Sequence, residues 1–135
     1  MNENWNRLKQ VIPYAPTWKI HWEILADTPL KPLILAMKHT QQNPLWHGEG
    51  DVWTHTKMVC EELVTEEEYR NLPENQQQIL FLAAFFHDIG KIPCTRWVDG
   101  AWISPSHTLI GSKMVRELLW KDFGVCGTKE LQNIR

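Results

Sequence analysis

Apolar residues fall into separate runs along the chain, and each run predicts an element. Over residues 1–12, Trp5, Leu8, Val11 and Ile12 recur at helical spacing and predict a short amphipathic helix. Pro13 and Pro16 break it, and Pro16 is placed to open the next turn. Trp18, Ile20, Trp22, Ile24 and Leu25 keep no clean period, although a second helix is expected through them. Thr28-Pro29 starts a third through Leu33, Ile34, Leu35 and Met37, ending near Gln41-Gln42-Asn43-Pro44. In the fourth, Asp51 is the expected N-cap, and Val52, Thr56, Val59 and Leu63 form the apolar stripe. Thr65-Glu66-Glu67-Glu68 reads as the capping box of a short helix that Pro73 closes.

Past the polar stretch Glu74–Gln78, the run Ile79-Leu80-Phe81-Leu82-Ala83-Ala84-Phe85-Phe86 has no polar face. It therefore predicts a buried helix, with Gly90 as the left-handed residue that ends it. Thr95–Val98 and Ala101–Ser104 flank Asp99-Gly100, the dipeptide a type I′ turn demands. Ser104-Pro105-Ser106 introduces the last strong helix. Its core stripe is Ile110, Met114 and Leu118 with Val115 and Leu119, and its wet face is Lys113, Arg116, Glu117 and Lys121. Thr128 looks like the cap of a final helix of about two turns, marginal without packing. The elements predict an all-α fold carrying one small β-hairpin over about 94–104, in a single domain spanning 1–135.

Composition narrows the classes. A chain of 135 residues buries roughly two thirds of its unfolded surface, enough for a true core. The formal net charge of −2 argues against general nucleic-acid binding, which usually needs a basic surplus, but leaves a nucleotide open as a small substrate. Cys60, Cys94 and Cys126 are odd in number and lack C-x-x-C spacing, so reduced thiols in a cytoplasmic protein are expected. The N-terminus shows no signal-peptide pattern. No apolar run approaches the roughly 20 residues of a membrane span. Most of the eight tryptophans are expected to pack.

Chemistry concentrates at His87-Asp88, where the apolar run ends. Burying an unpaired carboxylate costs several kcal/mol, so Asp88 needs a partner, and a cation shared with the adjacent imidazole supplies one. Lys91 follows as a positive charge beside the pair, suited to a phosphate-sized anion. Taken alone, a His-Asp dipeptide at a helix end is most often a solvated cap. His55 changes that weight, because it lies on the core side of its helix and points toward the same interior. His107 falls in the first turn of the last helix, whose dipole favours the neutral imidazole that a metal or a phosphate oxygen can use. Its alternative is an ordinary cap residue. His21 and His39 are read as packing or surface histidines, and Glu66, Glu67 and Glu68 as a solvated first turn.

His55 within 47–56, His87-Asp88 within His87-Asp88-Ile89-Gly90-Lys91, and Ser106-His107 with Gly111 together resemble the HD-domain metal-dependent phosphohydrolase superfamily. The pattern is most similar to the HD domains associated with CCA-adding tRNA nucleotidyltransferases, and the similarity runs from about His47 to Trp120. The resemblance implies a compact helical bundle holding a divalent ion (Mn, Fe, Ni, Mg or Zn) on His55, His87 and Asp88. It implies hydrolysis of a phosphate ester, commonly a nucleotide, with Asp88 and Lys91 catalytic. Lys91, Arg96 on the hairpin and His107 would contact the substrate, and the hairpin would lie over the mouth of the site. The partner expected is thus a small phosphorylated molecule, not a membrane. One departure stands out: the family's final metal aspartate has no match, since Asp122 and Glu130 are the only late carboxylates and neither has the right context. The chain then reads as a shortened member, or as a degenerate one that binds a ligand or partner without turnover.

Overall fold

The computed structural model describes residues 2–42 and 50–125. The expected cap at Thr128 and residues 43–49 lie outside them. In α1 (Glu3–Val11), Asn2 accepts from the Trp5 amide and so caps the helix, while Trp5, Leu8 and Val11 face inward. The second helix is a short 3-10 segment, Trp22–Asp27, that lies against α1. Its lack of a 3.6-residue period suits this tighter winding, in which side chains three apart eclipse.

The third helix, α2 (Lys31–Lys38), stops earlier than expected. The chain then runs extended, and Gln41 forms an isolated bridge with Asp51. Alternation along this stretch buries Thr40 and Gln42 and leaves Gln41 outside. The bridge seats α3 (Val52–Thr65), where Asp51 caps as expected: its carboxylate accepts from the Thr54 amide at 2.8 Å and the Thr54 hydroxyl at 2.9 Å. The stripe is offset from the one predicted. Val52, Thr56, Cys60 and Val64 are buried, while Val59 and Leu63 lie at its edge. A stripe centred on every fourth residue fits a helix pressed between α2 and the later helix Glu74–Phe86.

The capping box does not form. The Thr65 hydroxyl donates back to the Glu62 carbonyl at 2.6 Å, so Thr65 ends α3 rather than opening α4 (Glu67–Arg70). The next helix, α5 (Glu74–Phe86), starts five residues before the apolar run. Its polar first turns are anchored by Gln77, a buried amide that donates to the Tyr69 and Arg70 carbonyls. Nor is the apolar run buried all round. Phe81, Leu82, Phe85 and Phe86 enter the core, but Leu80 is 40 % exposed.

Beyond α5 the backbone keeps helical dihedrals through a chain of tight turns into α6 (Lys91–Cys94). Gly90 is not left-handed, since its φ is −65°. A glycine is needed there for a different reason. A Cβ on Gly90 would lie 2.7 Å from the Gly111 nitrogen and 2.9 Å from its Cα, so this turn packs backbone to backbone against α7 (His107–Lys121). Between α6 and α7, β1 (Arg96–Val98) and β2 (Ala101–Ile103) pair antiparallel. Asp99 and Gly100 carry φ of 49° and 82°, as a type I′ turn requires. In α7, Gly111, Val115 and Leu119 are buried, with Ile110, Met114 and Leu118 half-buried beside them. The described residues are thus all-α with one small hairpin, as expected, and none of their helices is long and apolar enough to cross a membrane.

Candidate metal centre

Four segments deliver side chains to one carboxylate. Asp88, 6 % exposed at its side chain, sits in the turn after α5, whose last residues carry an aromatic cluster. There Phe85 meets Phe86, Trp53 and Trp22 with ring centroids 4.9–6.4 Å apart. His87 Nε2 stands 3.0 Å from Asp88 Oδ2, and His55 Nε2, arriving from α3, stands 3.7 Å from the same oxygen. Lys91 Nζ approaches it too, at 3.3 Å. His107 Nε2, from the first turn of α7, faces the other oxygen at 3.5 Å.

The far side of two of these rings decides what the near side can do. His87 Nδ1 lies 2.6 Å from the Ala84 carbonyl, and His107 Nδ1 lies 2.9 Å from the Ser104 carbonyl. A carbonyl only accepts, so each Nδ1 carries the proton. In the neutral ring, Nε2 then aims a lone pair at a carboxylate oxygen. Two lone pairs do not attract, so something positive must lie between them, either a second proton on the ring or a cation. Protonating His55, His87 and His107 together would set four positive charges, counting Lys91, against one carboxylate in a half-closed site. A divalent ion balances the same donors with fewer like charges pressed together.

The donors fit such an ion. One ligand atom each from His55, His87 and Asp88 lies within 4.8 Å of the other two, so the group could hold a metal ion. Donors about 2.1 Å from a shared ion sit at most about 4.2 Å apart, so small side-chain adjustments would close the set. Electrostatics supplies an ionised carboxylate and, without an ion, a proton on His87 as its counter-charge. Burial opposes ionisation of Asp88, but the hydrogen bond from His87 and the charges of His87 and Lys91 outweigh it and hold the group below the usual carboxylate range. Burial also opposes a charged His87, yet Asp88 and the Ala84 carbonyl prevail and raise its affinity for a proton.

The expected residues separate on placement. His55, His87, Asp88, Lys91 and His107 converge. Arg96 stands exposed on β1, and among the described residues it forms no ion pair with Asp88. The hairpin meets the site through its base, where the Thr95 and Ser104 hydroxyls bond at 2.6 Å and the Ser104 carbonyl holds His107, while β1 itself is exposed. Asp122 follows the far end of α7, fifteen positions and thus about 22 Å from His107, so it is no ligand. Its carbonyl instead accepts from the side chains of Asn2 and Asn4. Glu130 lies outside the described residues. His21 pairs with Glu23, and His39 caps α2.

Gln42 is a participant that the amino-acid pattern did not single out. It is 4 % exposed, and its Oε1 accepts from Lys91 Nζ at 2.7 Å. Beside His87 opens a cavity of about 220 Å3 lined by Ala83, Phe86, Thr108, Gly111 and Ser112. A broader cleft, about 850 Å3, lies elsewhere among Lys9, Tyr14, Lys19 and Gln78. There Gln78 donates to the Tyr14 hydroxyl, and that hydroxyl donates to the Lys9 carbonyl. No protein-family model matches the chain, and no curated protein or solved structure matches it.

Proposed function

We propose that this chain is a metal-dependent phosphohydrolase of the HD-domain type, acting on a phosphate ester, with a nucleotide as the substrate class. One observation carries the reading. Imidazoles whose Nδ1 atoms are tied to backbone carbonyls turn their Nε2 atoms onto a single buried carboxylate, which is the donor set of a cation site. His55, His87 and Asp88 would hold the ion. When bound, a divalent ion supplies a hydroxide near neutral pH and draws charge from a phosphoryl oxygen.

The chain's own groups account for the rest. The free oxygen of Asp88 accepts the proton of the attacking water. The Lys91 ammonium faces the charge that develops on the phosphoryl group. His107 would serve as a further ligand on the Oδ1 side through its Nε2 lone pair, or donate to a phosphate oxygen only as the doubly protonated ring. The small cavity beside His87 is mostly apolar and is not lined by Asp88, His55 or Lys91, so the substrate would instead meet the site from its open side. Arg96 could make bidentate contact with a further phosphate.

A panel of phosphomonoesters and nucleotides, screened with Mn2+, Ni2+, Fe2+, Mg2+ and Zn2+, tests the reading. Hydrolysis is expected with at least one pairing, and His87→Ala and Asp88→Ala should each lower it by about a hundredfold or more. Activity that survives Asp88→Ala unchanged would remove this account. A second reading is a degenerate HD-type module that binds without turnover. The hairpin favours it, because Trp97 is 59 % exposed and packs on Trp102 at 5.2 Å, an aromatic face suited to a partner. Saturable nucleotide or metal binding with no product in the same screen would select that reading.

A further inference from the structure

Lys91 approaches the oxygen of Asp88 that His55 and His87 also face. Its side chain is 11 % exposed, and its backbone is pinned by an amide bond to the Asp88 carbonyl at 3.0 Å. The ammonium thus lies enclosed beside the carboxylate. Its two partners divide it unevenly, with the Gln42 amide oxygen at 2.7 Å and the Asp88 carboxylate at 3.3 Å. Charge-assisted bonds to a carboxylate usually close to about 2.7–2.9 Å. Here the neutral acceptor has the shorter contact, against the Coulomb preference.

Gln42 is built to hold that position. The bridge between Gln41 and Asp51 fixes its backbone, and its own amide donates to the Gly50 carbonyl at 3.0 Å. Its Nε2 donates to the Asp51 carbonyl at 3.3 Å, which orients Oε1 toward Lys91. The glutamine is thus anchored at the N-cap of the helix that carries His55.

Resting on the metal-site reading above, we propose that Lys91 is a built-in competitor for a divalent cation at Asp88, and that Gln42 is the positioning residue that restrains it. By drawing the ammonium off the carboxylate, Gln42 leaves Oδ2 available to an ion shared with His55 and His87. It also keeps the positive charge beside the site, within reach of an anionic substrate. Metal affinity is set below its maximum in exchange for that charge.

Calorimetric titration with Mn2+ alone tests this on wild type, Lys91→Met, Gln42→Leu and the double variant, each checked for folding by circular dichroism. A cation within about 4–6 Å of a carboxylate shifts its ionic equilibrium by about one to three powers of ten. Lys91→Met should therefore bind Mn2+ at least about tenfold more tightly than wild type. Gln42→Leu should bind more weakly, because the ammonium settles onto Asp88, and the double variant should match Lys91→Met. Lys91→Gln replaces the methionine variant if that one misfolds. Binding by wild type with no gain on removing Lys91 overturns the competition and leaves the metal site standing. If Gln42→Leu weakens binding equally when Lys91 is absent, its positioning role is overturned. Binding only when Lys91 is removed supports the inference in its strong form. No binding by any variant overturns the inference and the metal site together.

Discussion

Cys60 lies on the buried stripe of α3 between Thr56 and Val64, and it is fully enclosed. Burial, with a smaller contribution from Glu61, pushes its thiol up to about 12. A raised value means that the thiolate, the reactive form, stays scarce until strongly alkaline pH. Iodoacetamide at pH 8 is expected to modify Cys94, which is half-buried, and to spare Cys60 until denaturant is added. Peptide-resolved mass spectrometry checks this, and native labelling of Cys60 would contradict the packing of α3. The same scale shows which site residues the amino-acid pattern could carry. His87, Asp88 and Lys91 are legible because they are neighbours at the end of an apolar run, so their convergence needs only one turn. Gln42 is not. Gln41 and Gln42 are identical in kind, and only the two-residue alternation of the bridge sends one outward and the other onto Lys91.

At the scale of elements, the junction of the His87–Gly90 turn with α7 sets where His107 stands. Gly90 and Gly111 meet there, but their tolerances differ. A Cβ on Gly90 would collide with the backbone of Gly111, whereas a Cβ on Gly111 would sit 3.1 Å from the Gly90 nitrogen and 3.7 Å from an Ile89 methyl group. Gly90→Ala must push α7 away, and such overpacking costs typically 1–3 kcal/mol or more. Gly111→Ala is tighter than usual, yet it gains about 1 kcal/mol of helix propensity in mid-helix. Denaturant melts should rank Gly90→Ala well below wild type and Gly111→Ala near it, and the reverse order would refute the close approach. Both glycines are visible in the chain, and Gly111 falls in the second turn of the last helix, whose start after Ser104-Pro105-Ser106 is legible. The role given to Gly90 was the wrong one, because its need for a bare Cα comes from another helix and not from its own dihedral angles. Local chemistry read well where the partners were local: the Asp51 cap and the Asp99-Gly100 turn formed as expected. It failed at Thr65, where two competing local bonds were available and the bond back to Glu62 prevailed.

Across the whole molecule, the donors come from places far apart in the chain: Gln42 past α2, His55 in α3, His87 to Lys91 after α5, and His107 at the head of α7. Their order along the chain was readable, but their convergence depends on α3 lying along α5 and α6 against α7, which no spacing rule supplies. A cation held by His55, His87 and Asp88 would bridge α3 to the turn after α5, and unfolding would break that bridge, so ion binding must appear as global stability. At a free ion concentration one hundred times Kd, linkage adds about 2.7 kcal/mol. For a domain of this size, that shift raises Tm by roughly 5–15 °C. Thermal melts with and without Mn2+ or Ni2+ should show such a rise, reversed by chelator and abolished in His87→Ala. Lys91→Met sharpens the test. Losing the ammonium leaves Asp88 and Gln42 without their shared partner and should lower Tm in chelator, while the ion-induced rise at a fixed, limiting metal concentration should grow. A rise that persists in His87→Ala would locate ion binding elsewhere on the chain. No rise in wild type together with a rise in Lys91→Met would mean that the lysine, rather than any absent ligand, keeps the ion out.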